Sequence, residues 1–474
     1  MEEIILSLKV DKTKELSDDQ KNGLVYLLDW ANKVKKNRDD SIFCSLTGAA
    51  GTGKTTLISY FLDKITDTYS KSKICICAPT HKAKKVIQSK TKWKNSETLQ
   101  ALLGLKLDIN LDDFDINNLQ FNSIGDRKIR DFELVIIDES SMVNTDLFMT
   151  IKDCAKSTGT KILFVGDSKQ LNPIKEYNVS LALTSCLNNY NLTEVVRQQN
   201  GNPLLEILNC LRLDIENNTN NYIELLKNRP KACNNSNEGY EVLNSIDFST
   251  KLDILFKSED FKKDKNYCRF ISWTNQSITE TNKWIRKSIF KETEALSLND
   301  ILLGYKTISD GDFANLVNSD DYTIKEITEK VSNYDEIQIK ILLVELESID
   351  TGQNSTVSIV KPDNNNYTSF IEVLNDLLLD AKTSRSKRGW KAFYEFKDNN
   401  LLLENLFEPN TKQLIVKKDI DYGYGITIHK SQGSTYNTVF INGKDINKNF
   451  TDSERKKLWY VALSRASNKV YINL

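Results

Sequence analysis

Short, nearly continuous apolar runs alternate along the chain with longer segments whose apolar positions recur at helical spacing. In the first half "SIFCSLTG", "KICICAPT", "FELVIIDE" and "KILFVGDS" read as buried parallel strands that stop at small or acidic residues. After the first of them, Leu57, Ile58, Phe61, Leu62 and Ile65 fall on one helical face. The rhythm returns later: "RFISWTN" precedes the helical pattern "QSITETNKWIRKSIF", and "GYGITIH", "TVFINGK" and "KVYINL" read as strands. Between these, "IQIKILLVELESI" and "STVSIV" read as strands and "YTSFIEVLNDLLLDAK" as a helix. Thr451 and Glu454 have capping-box spacing at the start of "TDSERKKLWYVALSRAS", a helix that delivers Arg465. The pattern predicts an α/β protein in which a second α/β lobe follows the first.

Composition narrows the classes. A chain of 474 residues accommodates roughly three domains. Apolar residues at 39% and charged residues at 27% fit a globular protein, and no apolar stretch approaches the ~18 residues of a membrane span. The acidic start "MEEIILSLKVDKTKE" carries an apolar run too short for a secretory signal, so a cytoplasmic location is the expectation. Eight cysteines lie singly, apart from Cys75 and Cys77, without paired C-x-x-C spacing; they are expected to be reduced and structural. The two histidines, His81 and His429, stand too far apart in sequence to suggest a histidine-rich metal centre. A net charge of −1 requires any nucleic-acid site to be a local groove. The Asn- and Lys-rich loops fit an AT-rich genome, for example a viral one.

The first strand-to-helix turn carries G-x-x-x-x-G-K-T, residues 48–55. Gly48, Ala49, Ala50, Gly51, Thr52 and Gly53 can wrap phosphates with backbone N–H groups. Lys54 can reach the β- and γ-phosphates, the Thr55 hydroxyl can ligate Mg²⁺, and Thr56 is a further candidate for nucleotide contact. Asp138 and Glu139 end a β-rich strand, where Asp138 can hold the magnesium and Glu139 can orient or deprotonate the attacking water. A kinase has to exclude water and a hydrolase has to position it, so the adjacent glutamate favours hydrolysis. A GTPase would want D-x-x-G where Asp138 is followed by Glu-Ser-Ser. A third strand ends at Gly166-Asp167 and places the Gln170 amide where it can sense a γ-phosphate.

"SDDQKNGL", "GAAGTGKTT", "APTHKAKKV", "SETLQALLG", "VIIDESSM", "VGDSKQLNPI", "LTEVVRQ", "ITIHKSQGSTY" and "YVALSRAS", in this order, resemble the superfamily 1 helicases, specifically the Dda-like and RecD-like branch that moves 5′ to 3′. The resemblance implies two RecA-like lobes: 1–104 plus 132–195 with the ATP site, and 196–291 plus 416–474. It also implies a β-hairpin wedge at 105–131, with Phe114 or Phe121 as the apolar tip, and a small SH3-like β-barrel at 292–415. By the same transfer Gln20 contacts adenine, Gly433 borders the nucleotide, Arg197 and Arg465 are arginine fingers, and Gln170 couples ATP to DNA. Pro79, Thr80, His81 and Lys82 of the first lobe, with Thr427, His429, Lys430 and Ser431 of the second, are expected to floor a groove for single-stranded DNA. Thr98 is a further DNA contact in the family pattern, although Leu99-Gln100 stand where relatives often have His. The basic and aromatic cluster around Trp390 is a candidate stacking surface.

The expected activity is ATP-dependent, Mg²⁺-requiring unwinding of DNA by 5′-to-3′ translocation. The cofactors are then ATP and Mg²⁺, and the partners single-stranded DNA, duplex junctions and a single-strand-binding protein or replisome component. A monomer in the cytoplasm, the host's if the source is viral, completes the expectation. The rivals are a DNA- or RNA-stimulated translocase that leaves the duplex intact, and a nucleotide-gated switch protein.

Overall fold

The computed structural model describes residues 16–33, 39–108, 120–123, 127–173, 176–195, 201–310, 313–384, 387–408, 410–411 and 413–474. Its first lobe is built on a parallel sheet with strands in the order Ser96–Thr98, Ile74–Ala78, Leu134–Ile137, Lys161–Gly166, Phe43–Gly48 and Asn188–Leu192. Alternate residues of these strands enter different cores. Ile74 and Ile76 pack among Leu57, Phe61 and Leu24 on one face, while Cys75 and Cys77 pack among Phe148, Ile151 and Phe164 on the other. A central parallel strand must be apolar on both faces, which is why these segments read as unbroken apolar runs.

The second lobe repeats the plan, in the order Gly425–Thr427, Cys268–Ser272, Tyr436–Asn442, Ala466–Asn473, Gly239–Leu243 and an antiparallel Lys231–Cys233. The helix Asp452–Ser464 is buried continuously from Lys456 to Ser464. It is covered by its own sheet and by the first lobe, so it lacks the one-sided apolar stripe of a surface helix. Thr451 occupies its N-cap without a side-chain cap bond, so the expected capping box does not form.

The first insert contains the antiparallel pair Leu105–Asp108 and Gln120–Ser123. Phe114 lies outside the described residues, as does the side chain of Phe121. In the second insert, Asn354–Val360, Ile337–Ser348, Asp321–Tyr334, Ile301–Gly304 and Ile420–Tyr422 form one antiparallel sheet. The helices Asn364–Ser384 and Lys387–Asn399 cap it. Closure of this sheet into a barrel is not seen among the described residues, and its last strand, Ile420–Tyr422, lies beyond position 415. Among the described residues no helix is long and apolar enough to cross a membrane.

Candidate ATP site and nucleic-acid face

The phosphate loop follows from strand and helix geometry. A Cβ at Gly48 would lie 2.7 Å from Thr52 Oγ1 and 2.9 Å from Leu192 Cβ, and Gly53 has φ +78° with its Cβ direction filled by Gln20 Nε2 at 2.2 Å. Both positions therefore need glycine. Thr52 is fully buried and donates to Ala49 O at 3.0 Å, while Lys54 Nζ donates to Gly48 O at 2.8 Å and Ala49 O at 2.9 Å. Gln20 forms a capping box with Ser17 and donates to Thr52 O at 2.8 Å, so the side chain expected at adenine also braces the loop.

A cavity of about 710 Å³ opens in front of this loop. Gln20, Ala50, Gly51, Gly53, Lys54, Thr55 and Thr56 line one side, Asp138, Glu139 and Gln170 the next, and Gly433 and Arg465 of the second lobe the far side. Gly48, Ala49 and Thr52 form the loop behind. Burial, and then the neighbouring Glu139, push the Asp138 carboxyl up to about 7, with Lys54 opposing. Glu139 itself sits at φ +51°, a left-handed conformation unusual for a glutamate. Gln170 is 6% exposed, and its Oε1 is buried without a hydrogen-bond partner among the described residues.

Arg465 terminates the helix Asp452–Ser464 and is 5% exposed. Its donors go to Val461 O, Ser431 O, Ser434 O and Ser464 Oγ, and among the described residues no carboxylate is ion-paired with it. Burial lowers its pKa, with Glu139 the strongest opposing charge. A buried guanidinium held by carbonyls in a nucleotide-sized cavity is suited to a developing phosphate charge. Arg197 lies outside the described residues.

Two residues of the site went unread in the sequence although their segments were quoted. The Tyr460 hydroxyl donates to Asp167 Oδ2 at 2.7 Å and accepts from the Ala50 N–H of the phosphate loop at 3.2 Å. One turn earlier Lys457 donates to Asn172 Oδ1, and Lys169 pairs with Glu216 at 2.8 Å. The second lobe thus holds both the loop and the turn after the third strand. A Tyr in "YVALSRAS" carries no signal of a hydroxyl that bridges to a residue 293 positions away.

The expected DNA groove is changed more. Thr80 caps the helix His81–Thr91 by accepting from Ala83 N at 3.1 Å. Pro79, Thr80 and His81 stay partly accessible and His429 is exposed. Desolvation by surrounding protein holds both imidazoles below their ordinary pKa. Lys82, by contrast, is 4% exposed and ion-paired to Asp321 at 2.9 Å, with Arg269 on the same carboxylate at 3.3 Å. It joins the first lobe to the second insert and is not available to DNA in this structure. Lys430 lies over the Tyr305 ring, 3.5 Å from its centroid, and burial lowers its ammonium to about 8. Ser431 is fully buried and donates to Ile428 O at 2.7 Å, Thr427 is 7% exposed and caps the same turn, and Thr98, 6% exposed, caps a short helix. These side chains are buried or capping turns in this structure, rather than lining an open groove. Trp390 is also corrected: it is 6% exposed and packs edge-on against Phe393 in the core of the helical cap.

Comparison with known proteins gives two domain matches, an AAA domain over residues 33–229 and a UvrD-like helicase C-terminal domain over residues 422–473. The ATP-dependent DNA helicase dda of Enterobacteria phage T4 is 25% identical over 61% of this chain and 61% of its own length. The chain is a superfamily 1 helicase of the Dda and RecD kind. An uncharacterised protein, R530 of Acanthamoeba polyphaga mimivirus, is 27% identical to this helicase over 93% of the chain and 97% of the relative. The fold of the helicase matches a Pif1 helicase from Bacteroides in complex with ADP-AlF3 and ssDNA, at TM-score 0.51 and 16% identity, over 96% of this chain and 92% of that one. The first match covers most of the first lobe and runs into the first helices of the second, the other covers the last strands of the second lobe, and the segment between the matches holds the second insert.

Proposed function

We propose that this helicase hydrolyses ATP to drive 5′-to-3′ movement along single-stranded DNA and to separate the strands ahead of it. The observation that carries the reading is the single cavity in which Lys54, Glu139 and Gln170 of one lobe meet Arg465 of the other. Hydrolysis in such a cavity depends on lobe closure, because the charge at the far side belongs to a different body. Thr55 and Asp138 are the residues that would hold Mg²⁺, whose charge would offset that of the β- and γ-phosphates. The buried Asp138, raised by burial and by Glu139, suits a cation. Glu139 would orient and deprotonate water, Arg465 would neutralise the transition state, and Gln170 would carry the γ-phosphate state toward the nucleic-acid face.

The T4 relative is a DNA helicase by name and the Bacteroides neighbour holds ADP-AlF3 and ssDNA, which supports both ligands for this chain. Thr80, His81 and His429 are the accessible candidates for strand contact.

ATP turnover measured with and without single-stranded DNA, and with duplexes tailed at only one end, tests the reading. Strong stimulation with unwinding from the 5′ tail alone is expected. Stimulation without unwinding would demote the protein to a translocase, and turnover indifferent to nucleic acid would remove the motor reading.

A further inference from the structure

Beside the ATP cavity lies a second, of about 240 Å³, between the helix His81–Thr91, the Asp350–Thr351 turn of the insert and the Gly433–Tyr436 segment. The two cavities share Val86, Lys90, Gly433, Ser434 and Thr435. The shared wall stands at the reacting end of the ATP site, since a Cβ on Gly433 would lie 3.7 Å from Glu139 Oε1. Arg465 holds the same wall through the carbonyls of Ser431 and Ser434, each at 3.4 Å.

Two lining hydroxyls are conspicuous. Ser434 Oγ and the Tyr436 hydroxyl belong to residues 9% and 2% exposed, and neither has a hydrogen-bond partner among the described residues. Buried polar groups are nearly always satisfied, so such a pair calls for a ligand that accepts. The surroundings favour an anion. Lys82, Lys85 and Lys90 line the cavity, and Arg269 stacks on the Tyr436 ring at 4.9 Å. Against these cations stand Asp320, Asp321 and Asp350, and burial raises the Asp350 carboxyl. Asn266 adds an amide, committed in part to Asp350 Oδ1 at 3.2 Å. The volume admits a tetrahedral oxyanion with a few waters.

We propose that this side cavity is an oxyanion subsite that receives inorganic phosphate as it leaves the ATP site, across the wall that Arg465 grips. The inference rests on the hydrolytic reading above. Phosphate formed beside Glu139 passes the Gly433–Thr435 wall and is held by the Tyr436 and Ser434 hydroxyls, in the positive field of the lining lysines, before it reaches solvent past Thr351. Arg465 and the wall it holds belong to the same lobe and move together, so parting of the lobes draws Gly433 away from Glu139 and widens the passage between the two cavities, which ties phosphate departure to opening.

The test compares wild type with Tyr436→Phe, which deletes one unpartnered hydroxyl, and Thr351→Glu, which adds an acid at an exposed position on the rim. Single-turnover ATP cleavage is followed by acid quench, phosphate release by a fluorescent phosphate sensor, and product inhibition by added inorganic phosphate. Cleavage is expected to stay at the wild-type rate. Tyr436→Phe should weaken inhibition by phosphate roughly ten-fold, the loss of one hydrogen bond to a charged ligand. Thr351→Glu should slow release several-fold. Unchanged release and inhibition in both variants would overturn the proposal. So would weakened binding of single-stranded DNA with normal phosphate behaviour, since the cavity would then take a backbone phosphate. Absence of ATP cleavage in the wild type would instead remove the hydrolytic reading itself.

Discussion

Single residues carry the chemistry unequally. Lys54 donates to the Gly48 and Ala49 carbonyls of its own loop, so Lys54→Ala is expected to abolish turnover while the unfolding midpoint moves little. Arg465→Ala should lower kcat by about 10³-fold or more with ATP affinity nearly unchanged, the pattern of a group that acts in the transition state. Equal losses in both would remove the finger role. Lys430 and Lys457 make a different prediction, because burial holds each at about 8, below the ordinary 10.5. From pH 8 to 10.5 the unfolded chain keeps these protons and the folded chain releases them. The unfolded state then binds more protons, so stability rises with pH across that window. Thermal melts of wild type and Lys457→Met should show a smaller rise in the variant. A steeper rise would contradict the assignment.

At the scale of elements, the helix Asp452–Ser464 and the Arg465 that follows it act as one part. Lys457, Tyr460 and Arg465 reach, in turn, the Asn172 turn, the phosphate loop with Asp167, and the ATP cavity. Tyr460→Phe removes the bridge and leaves the ring, so kcat is expected to fall with normal ATP binding. The effect of Asp167→Asn should then be less than additive in the double variant; additive effects would show that the bridge does not transmit. The strands of this part were legible as apolar runs, and the phosphate loop, Asp138, Glu139 and Arg465 as motifs, because each is defined by residues close in sequence. Lys82 was not, because its partner Asp321 is 239 positions away and a lysine on a basic helix reads as a free cation. Trp390 was misread for another reason. Trp390, Phe393 and Tyr394 have the spacing of a helical core stripe, and the flanking basic residues drew attention from it.

Across the whole molecule, Asp321 joins three bodies: Lys82 of the first lobe, Arg269 of the second and the insert's own strand. Burial alone would raise its carboxyl, yet Arg269 and Lys82 hold it below the usual range. Asp321→Asn would leave two buried cations underpaired, and a loss of about 3–5 kcal/mol in unfolding free energy is expected by denaturant titration. Lys85, which is partly exposed and pairs with Asp320, should cost less on conversion to methionine. The long hairpin of Asp321–Tyr334 and Ile337–Ser348 spans two separate cores. Ile324, Val344 and Leu346 sit in one shared with the second lobe, and Ile339 sits in the other with the helical cap. Amide hydrogen exchange should therefore report two levels of protection along one continuous ladder, with the turn end opening alongside the helical cap and the base exchanging only when the second lobe unfolds.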